Sequence, residues 1–358
     1  MRPRIVRPVQ AAKGHAPGRI NLIGEHTDYN DGLVLPIALA LGVSATACAR
    51  DDDRAHLSTD ATAPREVDYA LGNEAKDGTW ADRVRGLTSM LRQCGRPIGG
   101  FDLAVTSTLP SGAGLGSSAA FTIAAIRALA TLFTLSFEDD DVVRLAHDVE
   151  NGPFVGARSG LLDQLASVYG SPTAALLIDL RDRTRESVAL PRDLALAVID
   201  SGTRHEHATG GYNERRRECE AAARHLGVAS LRELETSPLL DVLDRLPPPL
   251  DRRVRHVLTE NERVRQTVDA LGAADLPRLG QLLDESHRSL RDDYEVSTPD
   301  LERLIAAAHD DERVLGARLV GGGFGGSVLV LARRAEAEAA ARRIVASRPE
   351  ARVVAFVP

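Results

Sequence analysis

The stretch "LPSGAGLGSSAAF", residues 109–121, constrains this chain most, because it sets alternate glycines between a strand-like segment and a helix-like one. Gly112, Gly114 and Gly116 carry no Cβ and tolerate positive φ, so the backbone can curl into a hollow lined by N–H groups. Such a hollow suits an anion. Before it, "GFDLAVTSTLP" alternates Phe101, Leu103 and Val105 and reads as a strand ending at Pro110. After it, "SSAAFTIAAIRALATLF" has the alanine and leucine content and the apolar spacing of a buried helix of about 17 residues. Leu115 completes the loop, and Ser117 and Ser118 stand at the helix mouth, where unpaired N–H groups and the helix dipole favour phosphate. The same residues also fit a tight turn packed on its own helix, so the loop takes its meaning from the rest of the chain.

That rest is large enough for two domains of ordinary size, at 358 residues. The hydrophobic fraction of 43% and charged fraction of 27% are those of a globular protein. A formal charge of −7, with both signs interleaved and aromatics at 4%, provides no surface built for nucleic acid or an anionic membrane. No run of about 18 apolar residues occurs, and "MRPRIVRPVQAAKGH" has arginines without an apolar core, so a cytoplasmic protein with no membrane span is expected. Cys48, Cys94 and Cys219 are odd in number, far apart and without a CxxC, which argues for free thiols. The acidic runs "DDDR" at 51 and "EDDD" at 138 read as a solvated loop and a helix start.

Strands are predicted at 32–50 (two, through Pro36), 102–108, 174–180, 194–200, 316–322, 327–333 and 351–357. Helices are predicted at 80–94, 117–134, 138–150, 211–226, 251–271, 275–292, 298–309 and 335–347. The two kinds do not alternate strictly, so an α+β protein is expected rather than a doubly wound parallel sheet. The polar stretch 180–193, closing near Pro191, reads as the boundary loop between an N-terminal domain, 1–188, and a C-terminal one, 189–358.

A second glycine-rich stretch, "LVGGGFGGSVLV" (319–330), satisfies GxGxxG at Gly321, Gly323 and Gly326. The dinucleotide fingerprint needs a helix after the glycines, yet "SVLVLAR" has strand density, so a hairpin is predicted, with or without a ligand. Lys13 and Lys76, the chain's two lysines, both miss the GxxxxGK spacing, which excludes a Walker-type site. Phosphate chemistry here must use arginine, backbone amides and a metal.

The densest polar cluster lies in "APGRINLIGEHTDYNDGLVLPIAL", residues 16–39. Arg19, Asn21, Glu25, His26, Thr27, Asp28, Tyr29, Asn30 and Asp31 crowd around the apolar "INLI". A solvated turn fits that composition, and so does a metal site at Glu25, His26 and Asp28, although the helical spacing of zinc helices is missing. A hydroxyl-rich ligand fits better, because carboxylates accept from vicinal hydroxyls and reject analogues lacking them.

"GRINLIGEHTDYNDG" resembles the galactokinase signature almost residue for residue, while "LPSGAGLGSSAA" and "GGGFGGS" resemble the second and third motifs of the wider GHMP small-molecule kinase superfamily. The similarity runs from about residue 15 to about residue 333 in matching order. It implies a two-domain α+β fold of mixed sheets and helices, the C-terminal half ferredoxin-like, with the active site in the inter-domain cleft. It also implies ATP and Mg²⁺ as cofactors, a galactose-like sugar as substrate, transfer to the anomeric C1 hydroxyl, and, less directly, a monomer. By position, the resemblance puts Arg19 near the transferring phosphoryl group and Glu25, His26 and Asp28 on sugar hydroxyls. "SGLLDQLASVYG" (159–170) is similar to the segment whose aspartate approaches C1, here Asp163, with Gly160 contacting the sugar through its main chain; "GGYNERRRECE" supplies Tyr212. Nucleotide binding falls to Gly112, Gly114, Leu115, Gly116, Ser117 and Ser118, with the hairpin at Gly322, Gly323 and Gly325 beside it. Ser118 and Glu150 are implied as Mg²⁺ ligands.

The physical logic runs the same way, since phosphoryl transfer asks mainly for positioning and charge neutralisation. Asp163 suits either a base or an orienting carboxylate, and a helix-capping role fits the residue too. The sequence departs from the family pattern with one extra residue near Gly152 and Pro153, and with Leu319 and Val320 where methionine and threonine are commoner. His205 and His207 form an HxH pair, read as part of a loop before the Tyr212 helix rather than a metal site. Other expectations from the same residues are an anomeric kinase of an N-acetylated or C6-altered sugar, and a non-catalytic galactose sensor. Retention of Arg19, Asp163 and Ser118 speaks against the sensor.

Overall fold

The structure, a computed structural model, describes residues 11–110, 112–204 and 208–357; His205 and His207 of the HxH pair, and the first ten residues, lie outside that range. In chain order the strands are β1 (Ala12–Asn21), β2 (Leu33–Val34), β3 (Pro36–Ala49), β4 (Arg54–Thr59), β5 (Glu66–Ala70) and β6 (Phe101–Ser107). There follow β7 (Ala174–Asp179), β8 (Thr184–Ala189), β9 (Leu194–Arg204), β10 (Val314–Val320), β11 (Gly325–Arg333) and β12 (Arg352–Val357). The helices are α1 (Asp82–Gln93), α2 (Ser117–Phe133), α3 (Asp139–Asn151), α4 (Leu162–Tyr169) and α5 (Ala208–Leu226). Then come α6 (Leu239–Leu243), α7 (Leu250–Gly272), α8 (Leu276–Asp292), α9 (Pro299–His309) and α10 (Ala337–Ala346).

The described residues form two compact units, one drawn from 1–18, 40–111 and 116–168, the other from 19–39, 112–115 and 169–358. The sequence-based division at 188/189 is contiguous, whereas these units each collect separated stretches, and the divisions at 18/19 and 39/40 fall inside β1 and β3. The stretch 180–193 is not a loop throughout, since it contains β8, which pairs antiparallel with β7 from Ala174↔Ala189 to Asp179↔Thr184.

In the first unit a five-stranded sheet runs β1-β3-β6-β4-β5, with β4 parallel to β6, β3 antiparallel to β6 and β4 antiparallel to β5. The helix α2 is buried nearly all round, as its alanine-rich sequence requires, and packs with α1 and α3. Glu138 opens α3 through a capping box with Asp141, the helix start that "EDDD" announces.

In the second unit an antiparallel four-stranded sheet runs β10-β11-β9-β12. In chain order that is fourth, first, third, second when counted from the β12 edge, the order of a ferredoxin-like sheet. Helices α8 and α9 pack on β10, and α10 on β9, burying Ala197, Ile199, Leu319, Val328 and Val330. Thr298 caps α9 and Asp275 caps α8, each accepting from a first-turn N–H and each followed closely by proline. No helix among the described residues is long and apolar enough to cross a membrane.

Candidate active site

The glycine loop folds as its sequence demands. Gly112, Gly114 and Gly116 take φ of 71°, 75° and 69°, a region L side chains rarely enter. Gly116 is the N-cap of α2 and, having no side chain, leaves the helix without a side-chain cap. The N-terminus of this 17-residue helix therefore has no side-chain cap, a helix end that favours an anion. Ser117 and Ser118 occupy its first turn, half-buried, and the Ser118 carbonyl accepts from the Thr122 hydroxyl.

In the same unit Glu150 is buried near the end of α3, where it accepts from the Gln164 amide at 3.1 Å and lies 3.5 Å from Arg83 Nε. Gln164 adjoins Asp163, which is half-buried inside the first turn of α4 rather than at its cap, where the helix dipole favours a carboxylate. Gly160 precedes that helix, also half-buried.

The second unit gathers the signature residues. Arg19 donates from its backbone N–H to Leu115 O at 2.9 Å and from Nη1 to Gly114 O at 2.6 Å, so it braces the tip of the first glycine loop. The second glycine stretch is the hairpin expected of it, with Val320 opposite Ser327. The two stretches meet: buried Ser327 donates to Ala113 O at 2.9 Å, and a Cβ on Gly114 would stand 3.8 Å from Val320 O.

Glu25 joins the signature to the hairpin. One oxygen accepts from Gly321 N–H and the other from the Asn21 amide, each at 3.0 Å, and the carboxylate pairs with Arg318, which is wholly buried. Burial pushes the Glu25 pKa up and Arg318 opposes that rise. His26 is also buried, with φ of 63°, and its Nε2 lies 3.1 Å from Gly322 O. A carbonyl only accepts, so Nε2 carries the proton and Nδ1 accepts from the Tyr29 hydroxyl at 2.8 Å. Burial and the neighbouring His256 lower the His26 pKa to about 3, which keeps the ring neutral. Tyr29 then accepts from Tyr294 at 2.9 Å, and Tyr294 from the Cys219 thiol at 3.0 Å. Tyr212, on α5, stands with its ring 5.4 Å from that of His26 and against Gly322, where a Cβ would come within 3.2 Å of it. Asp28 is half-buried and opens the short 3₁₀ turn Asp28–Asn30.

Sequence reasoning missed Arg318, Ser327 and the polar face of α7. Arg318 left a signal, a lone charge inside the apolar strand "GARLVGG", which is expensive to bury without a partner.

Three family models match this chain: the GHMP kinases N terminal domain at residues 83–171, the GHMP kinases C terminal domain at 267–350, and the galactokinase galactose-binding signature at 9–49. The crystal structure of Methanococcus jannaschii mevalonate kinase, 17% identical, shares the fold with a TM-score of 0.73 over 99% of both chains. Fold and glycine loops thus define a GHMP-type small-molecule kinase. A galactokinase from Roseiflexus sp. (strain RS-1) is 40% identical over 328 residues, 90% of this chain and 84% of that one. The crystal structure of Lactococcus lactis galactokinase complexed with galactose is 32% identical, with a TM-score of 0.91 over 97% of this chain and 94% of that one. The chain belongs to the galactokinase family.

Proposed function

We propose that this chain transfers the γ-phosphoryl group of ATP to the C1 hydroxyl of α-D-galactose, yielding galactose 1-phosphate and ADP. The observation that carries the reading is the signature segment pinned by Glu25 and His26 to the glycine hairpin, within a chain of the galactokinase family. The C1 oxygen bonds to phosphorus as the bond to the β–γ bridging oxygen breaks, and the hydroxyl proton leaves toward Asp163, as base or orienting group. Arg19 offsets charge on the moving phosphoryl group.

Sugar recognition goes to Glu25, His26, Asp28, Gly160 and Tyr212. Glu25 holds three donors and a carboxylate has about four lone-pair sites, so one hydroxyl can still be accepted. Both ring nitrogens of His26 are engaged, so it reaches a hydroxyl by exchanging one of those partners. The nucleotide goes to Gly112, Gly114, Leu115, Gly116, Ser117 and Ser118, with Gly322, Gly323 and Gly325 of the hairpin supporting the loop.

Ser118 and Glu150 offer the hard oxygen donors that Mg²⁺ takes. Mg²⁺ is commonly bound through one or two protein oxygens together with substrate phosphates and water. Bound there, Mg²⁺ would neutralise charge on the β- and γ-oxygens. The reading includes a cytoplasmic, monomeric enzyme.

Turnover of Asp163→Ala tests the assignment, with an expected loss on the order of 10³-fold while galactose still binds in calorimetry. Turnover within tenfold of wild type would remove Asp163 from its role. A coupled assay with galactose, N-acetylgalactosamine, glucose and no sugar tests the substrate; preference for any other sugar overturns it.

A further inference from the structure

The helix α7 presents three polar side chains, His256, Glu260 and Asn261, each with no solvent exposure. The spacing of 256 and 260 places two of them one above the other on one helical face. All three are hydrogen-bonded to the main chain of the signature loop. Glu260 Oε1 accepts from Gly24 N–H at 3.1 Å, His256 Nε2 donates to Glu25 O at 3.1 Å, and Asn261 Oδ1 accepts from Leu33 N–H at 2.9 Å.

A buried carboxylate is costly unless it is paired, and Glu260 is paired with Arg263 Nε at 2.7 Å and with the Ser286 hydroxyl at 2.7 Å. Those partners outweigh burial and hold its pKa at about 2, so it is ionised. Neighbouring positions that face the core, Val257 and Val264, are apolar, so packing alone does not call for an acid at 260. What the charge adds is a strong, directed acceptor for one amide. That amide belongs to Gly24, whose φ of 99° is open to glycine almost alone and whose Cβ would meet Leu33 O at 2.6 Å. The two residues that follow it are Glu25 and His26.

We propose that Glu260 is a positioning residue for the sugar site: seated by Arg263 and Ser286, it fixes the Gly24 peptide and so sets the direction in which Glu25 and His26 project. His256 and Asn261 hold the loop beyond that point, at Glu25 O and Leu33 N–H. The inference rests on the assignment of Glu25 and His26 to sugar hydroxyls.

The test compares wild type, Glu260→Ala and Glu260→Gln in the full chain by calorimetry with galactose and with a non-hydrolysable ATP analogue, together with hydrogen exchange at the Gly24 amide. Glu260→Ala raises the galactose Kd at least tenfold, leaves the nucleotide Kd within twofold and speeds Gly24 exchange. Glu260→Gln, whose amide oxygen still accepts, returns the galactose Kd to within threefold of wild type. Equal losses for both ligands, unchanged galactose affinity, or glutamine no better than alanine overturns the proposal. Should Glu260→Ala fail to fold, Ser286→Ala takes its place, with a two- to fivefold rise in galactose Kd expected and none overturning. If wild type itself ignores galactose, the sugar assignment has failed, and Gly24 exchange alone decides whether Glu260 fixes the loop.

Discussion

The two glycine-rich segments have similar composition and opposite uses. At 112–116 the glycines turn the chain into α2 and leave the helix N-terminus without a side-chain cap. At 321–326 they turn β10 back into β11, and the backbone polar groups are consumed at once, Gly321 N–H by Glu25 and Gly322 O by His26. In the proposed function the first segment keeps its helix end for a ligand, whereas the second spends its polar groups on holding the signature loop. Glycine density thus reports close backbone approach in both, and the element that follows decides whether the partner is foreign or internal.

The hairpin's internal role breaks most visibly at Arg318. Arg318→Met leaves Glu25 buried with its main counter-charge gone, and removing one partner of a buried pair costs about 3–5 kcal/mol. Urea unfolding should show that loss, and Arg318→Met combined with Glu25→Gln should recover part of it. A single variant as stable as wild type would mean the hairpin is not held by this pair.

How much of this was legible in the sequence depended on where the apolar signal lay. The strands β6, β9, β10, β11 and β12 carry valine, leucine and isoleucine in runs, and their prediction matches the structure within a few residues. In β1, by contrast, the inward positions Ala12, Gly14, Ala16 and Gly18 are small, so period-two burial left no hydrophobic trace. The strand β8 is exposed except at Val188 and exists because it pairs with β7. The glycine loop, Arg19 and the signature were readable because their chemistry is local. The partners of Arg318, Glu260 and Ser327 were not, because each lies more than 200 positions away.

The first segment's outward role breaks at Gly116. Gly116→Ala puts a Cβ on a residue with φ of 69° at the mouth of α2, a strain of about 1–3 kcal/mol. The Kd for ATP should rise on the order of 10²-fold, about 2.7 kcal/mol, with galactose affinity unchanged in calorimetry. Equal losses for both ligands would erase the contrast between the segments.

Acid sharpens the contrast further, because the hairpin side holds neutral buried histidines. His26 and His256 have pKa values of about 3 and about 4 in the fold, set chiefly by burial, against an unfolded value of 6.5. Between those limits the unfolded chain binds more protons. Stability is therefore full above 6.5 and falls as pH drops, by up to ~1.4 kcal/mol per pH unit for each histidine. Glu25, whose pKa burial raises, opposes this trend, because the folded chain takes up its proton before the unfolded chain does. Melting temperature followed from pH 7 to 5 should fall, and His26→Asn should flatten the slope by one histidine's share. A slope unchanged in His26→Asn would show that the His26 ring is protonated in the fold.

The smallest effect lies where the segments touch. Ser327 donates to Ala113 O from a fully buried position, so Ser327→Ala removes one hydrogen bond and leaves a carbonyl unpaired, about 1 kcal/mol. The β11 strand keeps its pairing with β9, since Ser327 faces Asp200 through backbone register alone. Because the lost bond ties the loop proposed to hold the nucleotide to the hairpin, KM for ATP should rise two- to fivefold while KM for galactose stays within error. A rise in KM for galactose instead would mean that the contact serves the sugar side, and that the first glycine segment is less independent of the second than its outward-facing donors imply.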